Sequence, residues 1–187
     1  ARLARAGIPA AGERVLGAGN LLVAFDRAPG LDLAAIAARL RGLAERVAEG
    51  PARAAPGRRE HRFEVVYGGD AGPDLAAVAR AARLAPERVV ELHAGALYRV
   101  AFVGFSPGFP YLIGLARELE LPRRAAPRPR VPAGSVAIAG PFAGVYPSPT
   151  PGGWHLIGHT DAALFDPAAS PPAALAPGDR VRFEARR

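Results

Sequence analysis

From about Ala96 onward, glycine or proline interrupts the chain every few residues, so no helix of ordinary length can be drawn through it. Between the interruptions lie short apolar runs: LYRVAFV, SVAIAG, GVYP, WHLIGH, AALFD and RVRFEA. Runs of that length with that punctuation suit the strands of a barrel or sandwich. The first half reads differently. ERVLGA and NLLVAFD flank a Gly-Asn turn and predict a hairpin. Asp32 can cap a helix whose apolar face is Leu33, Ile36, Leu40, Leu43 and Val47. HRFEVVY reads as a strand, Asp74 as the cap of a short helix, and Pro86 as the first residue of another. The expected organisation is α+β over residues 1–95 and β-rich over residues 96–187, with the boundary near His93 to Ala96.

Composition removes several classes of function. The 187 residues include no cysteine, which excludes a disulfide framework, a thiolate metal site and a cysteine nucleophile. The net charge is +7, and all 24 basic residues are arginine. They are scattered and lack interleaved aromatic platforms, so nucleic acid is not the expected partner. No apolar run approaches the ~20 residues of a membrane span, and the N-terminus lacks a secretory h-region. The expected location is the cytoplasm, with which the absence of cysteine is compatible. The chain does not begin with methionine, and is expected to be processed or a fragment.

Gly104-Phe105-Ser106-Pro107-Gly108 spells G-x-S-x-G, the pattern of a nucleophile elbow. The residue after the serine should lend its N–H to an oxyanion hole, and here it is Pro107, which has none. Losing one such donor costs about 3–4 kcal/mol of transition-state stabilisation. Ser106 is therefore read as part of a Gly/Pro-built loop that brings backbone close to a neighbour or ligand. His155 and His159 are four residues apart on an expected strand, roughly 13 Å, too far to share one metal ion. They would face the same side and could line one cleft, and no metal site is expected. YGGDAGPDL reads as a turn followed by the Asp74 cap. Arg123, Arg124, Arg128 and Arg130 lie among prolines on an extended segment, either as a solvated run or as planar forks for an anion. Trp154 reads equally as core or as groove lining.

GFSPGFPYLIGL, PRRAAPRPRVPAGSVAIAG, GVYP, SPTPGGWHLIGHT, LFDP and PPAALAPGDRVRF follow one another in order, with YGGDAGPDL and ELHAG upstream. Together they resemble the KipI family, also called the 5-oxoprolinase B component or allophanate hydrolase subunit 1-like family. The resemblance implies a ferredoxin-like N-terminal domain, trimmed of its first strand, followed by a cyclophilin-like β-barrel. It implies a non-autonomous component of an ATP-dependent 5-oxoprolinase, which opens 5-oxo-L-proline to L-glutamate with a KipA-type partner and a LamB/YcsF-type partner. ATP, with Mg as a possible companion, is expected to be bound together with those partners. The alternatives it carries are an inhibitor of a sensor histidine kinase and a component of a urea- or amide-carboxylase complex. Two positions depart from the family pattern: Phe142-Ala143 stand where a Gln-Thr pair is usual, and His155 and His159 stand in place of Gln and Arg.

Opening a lactam calls for cations at the carboxylate and phosphate and for donors at a developing oxyanion. The residues offering these are Arg123 and Arg128 as clamps, the backbone at Gly104–Gly108 and Gly152–Gly153, and Ser135, Tyr146 and His155 as orienting groups. The catalytic residues themselves are not assigned.

Overall fold

The structure, a computed structural model, describes residues 11–17, 20–25, 32–48 and 59–186. The chain divides into two compact units, Ala1–Gly57 and Arg58–Arg187. In the first, β1 (Ala11–Leu16) and β2 (Leu21–Phe25) form the expected antiparallel hairpin. Helix α1 (Leu33–Ala48) starts where Asp32 accepts the Ala35 N–H at 2.9 Å, a side-chain cap that satisfies one of the helix's free donors. Ile36, Leu40 and Leu43 are half-buried along one face, and Val47 lies outside the side chains described. Among the described residues this unit holds one hairpin and one helix, and the ferredoxin-like reading rests on the resemblance.

The second unit is a closed seven-stranded barrel. Its strands are β3 (Glu60–Tyr67), β4 (Tyr98–Val103), β5 (Pro110–Ile113), β7 (Ser135–Ala139), β8 (Phe142–Val145), β10 (His155–His159) and β11 (Arg180–Ala185). They close in the order β10-β3-β11-β4-β5-β8-β7. The β3–β11 pair is parallel and the others antiparallel. Helices α2 (Leu75–Ala82) and α3 (Pro86–Gly95) connect β3 to β4, and β6 (Arg128–Val131) pairs with β9 (Thr150–Gly152) as a separate ribbon. The expected boundary at residues 95 and 96 is therefore displaced to Gly57/Arg58. HRFEVVY is a barrel strand, because its alternating Phe63 and Val65 reach the barrel core beside Phe183 and Val181. AALFD forms no strand, only the bridge Phe165–Ala173, whereas PYLI, which sequence left unassigned, is β5.

Barrel closure explains why SVAIA reads as an unbroken apolar run: β7 is buried on both faces. Val136 and Ile138 enter the main core, while Ala137 and Ala139 pack into a second cluster with Phe109, Tyr146, Trp154 and Leu156. That second cluster covers the outer face of the barrel wall and forms the floor of the site described below.

His93 ends up fully buried, stacked 4.7 Å from Phe183 and with Nδ1 2.7 Å from the Tyr67 hydroxyl. Burial lowers its pKa to about 3. The unfolded chain takes up a proton at this residue near pH 6.5 and the folded chain does not. Its contribution is thus complete above about pH 6.5 and is lost as the pH falls toward about 3. Urea unfolding followed across that range should show stability falling by up to about 1.4 kcal/mol per pH unit, a slope that His93→Leu removes. An unchanged slope in that variant would assign the acid sensitivity elsewhere.

Candidate functional site

The prolines of segment 122–131 hold it extended, and one carboxylate fixes it to the barrel. Asp74 stands at the N-cap position of α2 but makes no side-chain cap. Its oxygens instead accept both Nη atoms of Arg128 at 2.8 Å, Arg124 Nη1 at 2.9 Å and the Leu156 N–H at 2.7 Å. The Asp74 N–H also donates to the Leu156 carbonyl, so the residue is tied to β10 through both its backbone and its side chain. Burial works to raise this carboxyl. The hydrogen bonds from Arg128 and Leu156 and the charges of Arg128 and Arg124 outweigh it, and hold the pKa below its ordinary value. The Arg128 fork is therefore spent within the protein, and the expectation that it clamps an anionic substrate is corrected. The local reason is that Asp74 is 4% exposed and needs a bidentate cation to stay charged.

Of the four arginines on this segment Asp74 takes two and leaves Arg123 and Arg130, and Arg123 is the one at a cavity. It is exposed, and among the described residues no carboxylate lies within ion-pair distance of it. It borders a cavity of about 40 Å³ whose other walls are Phe105, Phe109, Tyr111, Tyr146, Trp154 and the backbone of Gly152 and Gly153. Phe109 sits at the centre, with edge-to-face contacts to Tyr146, Tyr111 and Trp154 at 5.0, 5.2 and 5.3 Å. Burial pushes the Tyr146 pKa up, against the Trp154 backbone N–H and the nearby Arg123 charge, which work to lower it. Glycine is required at 152, since a side-chain carbon there would overlap the Tyr146 hydroxyl. Arg124 N–H donates to the Gly153 carbonyl at 2.8 Å, which brings Arg123 beside the aromatic walls.

The G-x-S-x-G stretch is the turn between β4 and β5, closed by Phe109 N–H to the Ser106 carbonyl and Gly104 N–H to the Phe109 carbonyl. No helix follows it, and the Ser106 hydroxyl oxygen is buried without a hydrogen-bond partner, so Ser106 is not an elbow nucleophile. Gly108 has φ +78° and lies against Phe165 and the Leu164 carbonyl, where a side chain would collide. Within this stretch the Gly104 N–H closes the turn and Gly108 serves packing.

The two histidines do not share a cleft. His155 pairs with Ile138 and His159 with Ser135, three residues apart, because β10 carries a bulge between Leu156 and Gly158. One extra residue reverses the alternation and puts the two rings on opposite faces. His155 Nε2 lies 2.9 Å from the Pro122 carbonyl and helps hold the arginine segment. His159, 3.4 Å from Asp161, borders two larger clefts of about 360 and 320 Å³ away from Arg123. Ser135 is buried at the start of β7 and does not line the aromatic cavity. Phe142 packs 5.5 Å from Tyr111 and extends the apolar wall. Among the described residues no group of three His, Asp or Glu could hold a metal ion, and no helix is long and apolar enough to cross a membrane.

Of the residues the sequence offers as site candidates, Arg123, Tyr146, Trp154, Gly152 and Gly153 border one cavity, whereas Ser135 and His155 do not. Sequence reasoning missed Asp74 as the anchor and Phe105, Phe109 and Tyr111 as walls. The signal for the walls was the alternation Phe105, Phe109, Tyr111 around one turn.

The arginine-edged aromatic pocket lies on the wall of a closed barrel. Residues 1–175 match the sequence model of the carboxyltransferase domain, subdomain C and D, and the chain belongs to that family. It is 59% identical over 128 residues to the B component of 5-oxoprolinase from Escherichia coli O157:H7, which is 68% of this chain and 59% of that protein. It is 48% identical over 143 residues to the B component of 5-oxoprolinase from Bacillus subtilis (strain 168), 76% of this chain and 60% of that protein. The chain therefore spans 59% and 60% of the length of these relatives. The resemblance carried by the motifs is borne out at the level of the family. The solved structure of TTHA0988 superposes with a TM-score of 0.77 at 39% identity, covering 100% of this chain and 35% of that one. Kluyveromyces lactis urea carboxylase gives 0.78 at 18% identity over 100% of this chain and 19% of that one, a likeness of fold.

Proposed function

We propose that the chain works in the cytoplasm as the B component of an ATP-dependent 5-oxoprolinase. In that role it would open 5-oxo-L-proline to L-glutamate together with a KipA-type partner and a LamB/YcsF-type partner. The observation that carries this reading is the 59% identity over 128 residues to a protein of that name. The geometry supports it with one unpaired guanidinium beside a pocket of aromatic walls. ATP and any Mg are assigned to the partners. A place in a urea- or amide-carboxylase complex is the second reading, favoured by the carboxyltransferase family match.

The test uses the three components co-expressed and supplied with 5-oxoproline and ATP, following glutamate and ADP together. Coupled product should appear with the chain present and vanish when it is omitted. Arg123→Gln should lower kcat/KM for 5-oxoproline by about 10- to 100-fold, the effect of one lost charged hydrogen bond. An assembled complex that turns over another amide and not 5-oxoproline would transfer the assignment to the second reading.

A further inference from the structure

Where β3, β11 and β4 lie side by side, the outside of the barrel carries a ladder of charges. Residues two apart on a strand share a face. Tyr98, Val100, Val181 and Phe183 point into the core, so Arg99, Arg180 and Arg182 stand outward. Arg180 lies directly opposite Arg99 of β4 on one side and opposite Glu60 of β3 on the other. Glu60 does not pair with it: Oε1 is 3.3 Å from Arg182 Nε and 3.5 Å from Arg62 Nη2. Glu184 is taken by Arg62 at 3.0 Å and stands four residues along the strand from Arg180, roughly 13 Å. Asp179, next to Arg180 in sequence, is buried, and its carboxylate holds His61 and the N–H groups of Arg59 and Ala176.

The carboxylates of this face are thus divided between Arg62 and Arg182. Among the described residues Arg99 and Arg180 have no carboxylate partner, and both are exposed. Opposed residues on antiparallel strands hold their Cβ atoms about 4.5–5.5 Å apart, and like charges so placed weaken the pairing. Carboxylates brought from outside would relieve that repulsion. The neighbours decide where they come from. Ile113, opposite Arg99 on β5, is half-buried, and Leu97, two residues before Arg99 on the same face, is 43% exposed. A free phosphate would touch the guanidinium groups and leave both aliphatic side chains in water. A protein segment with carboxylates beside an apolar side chain covers all four.

We propose that Arg99 and Arg180, with Leu97 and Ile113, form a docking face for an acidic segment of a partner protein. Identifying that partner with one of the two components named above rests on the proposed function; the acidic, part-apolar class rests on the face.

Arg99→Glu sets opposite charges where like charges stood. In the full chain on its own it should raise the urea midpoint by roughly 0.1–0.5 M. In the co-expressed complex the same variant, and Arg180→Gln, should weaken assembly at least about tenfold. Arg80→Glu, an exposed position of α2 with the same change in net charge, should assemble like the parent. An arm independent of the partners uses a labelled helical peptide with glutamates four residues apart around leucines, read by fluorescence anisotropy at low salt. The parent should bind it saturably, and Arg99→Glu at least about tenfold more weakly. Where the parent assembles, assembly decides; where it does not, peptide binding decides. A variant that matches the parent in the deciding assay overturns the face, and so does a urea midpoint that fails to rise. Displacement of the peptide by an equal concentration of inorganic phosphate reduces the face to a small-anion site and overturns the docking role. A parent that stays apart from both components, yet binds the peptide through Arg99, retires the proposed function and keeps the face. Coupled turnover and assembly untouched by Arg99→Glu keep the function and remove the face.

Discussion

Replacing Asp74 with alanine is expected to destabilise the barrel by about 3–5 kcal/mol, the cost of breaking a buried ion pair from one side. Three terms contribute. Arg128 loses a bidentate partner and Arg124 a single one, but their side chains are 23% and 33% exposed and can recover water. The Leu156 N–H, inside the barrel wall, cannot recover its acceptor, and an unsatisfied buried donor costs about 1–3 kcal/mol by itself. Urea unfolding of the full chain measures the sum, and a loss below about 1 kcal/mol would show that the carboxylate is dispensable. The same residue fixes an acid limit. Its folded pKa lies below the unfolded value near 4, so its contribution is present above about pH 4 and fades as the pH drops through the folded pKa. Asp74→Asn should remove that steep acid portion. This window overlaps the lower end of the one governed by His93, and the two single variants separate the contributions.

Phe109→Ala should cost about 3–5 kcal/mol, the range for truncating a buried aromatic. Phe109 is 1% exposed and touches every aromatic wall of the pocket. Gly144 leaves the space that its ring tip fills: a carbon there would stand 2.9 Å from Phe109 Cζ. Phe109→Leu, which keeps much of the volume, should lose markedly less. Trp154 should shift its emission to longer wavelength in the alanine variant, since one face of the indole then meets water. Equal stability of the alanine variant and the parent would mean that the outer cluster collapses around the gap.

The barrel was legible in the sequence because glycine or proline punctuates the short apolar runs, and five of the six runs from LYRVAFV to RVRFEA contain all or part of a strand. The division into units was not. HRFEVVY carries the same alternation whether it lies in a small sheet or a barrel, and only its pairing with β11, far along the chain, decides between them. Asp74 looked like a helix cap because Asp before LAAVARAARL is the ordinary cap signal, and local sequence does not show that two arginines 50 and 54 residues later will claim it. The histidines misled for another reason. Strand alternation counts residues, and a bulge adds one without a mark in the sequence beyond Gly158.

The parallel seam between β3 and β11 also bears on how the barrel is made. Arg59 and Asp179, which meet at its start, are 120 residues apart. Contacts that distant form late, because a long loop must be closed before any pairing energy returns. On the ribosome β3 emerges before the other barrel strands, and its parallel neighbour is delivered only after all of them have been made. Throughout that interval Phe63 and Val65 have no β11 partner, and the growing chain presents an open sheet edge. The segment that closes the barrel, APGDRVRFEA, therefore sets when the nascent protein stops being a target for chaperones and for unwanted strand pairing.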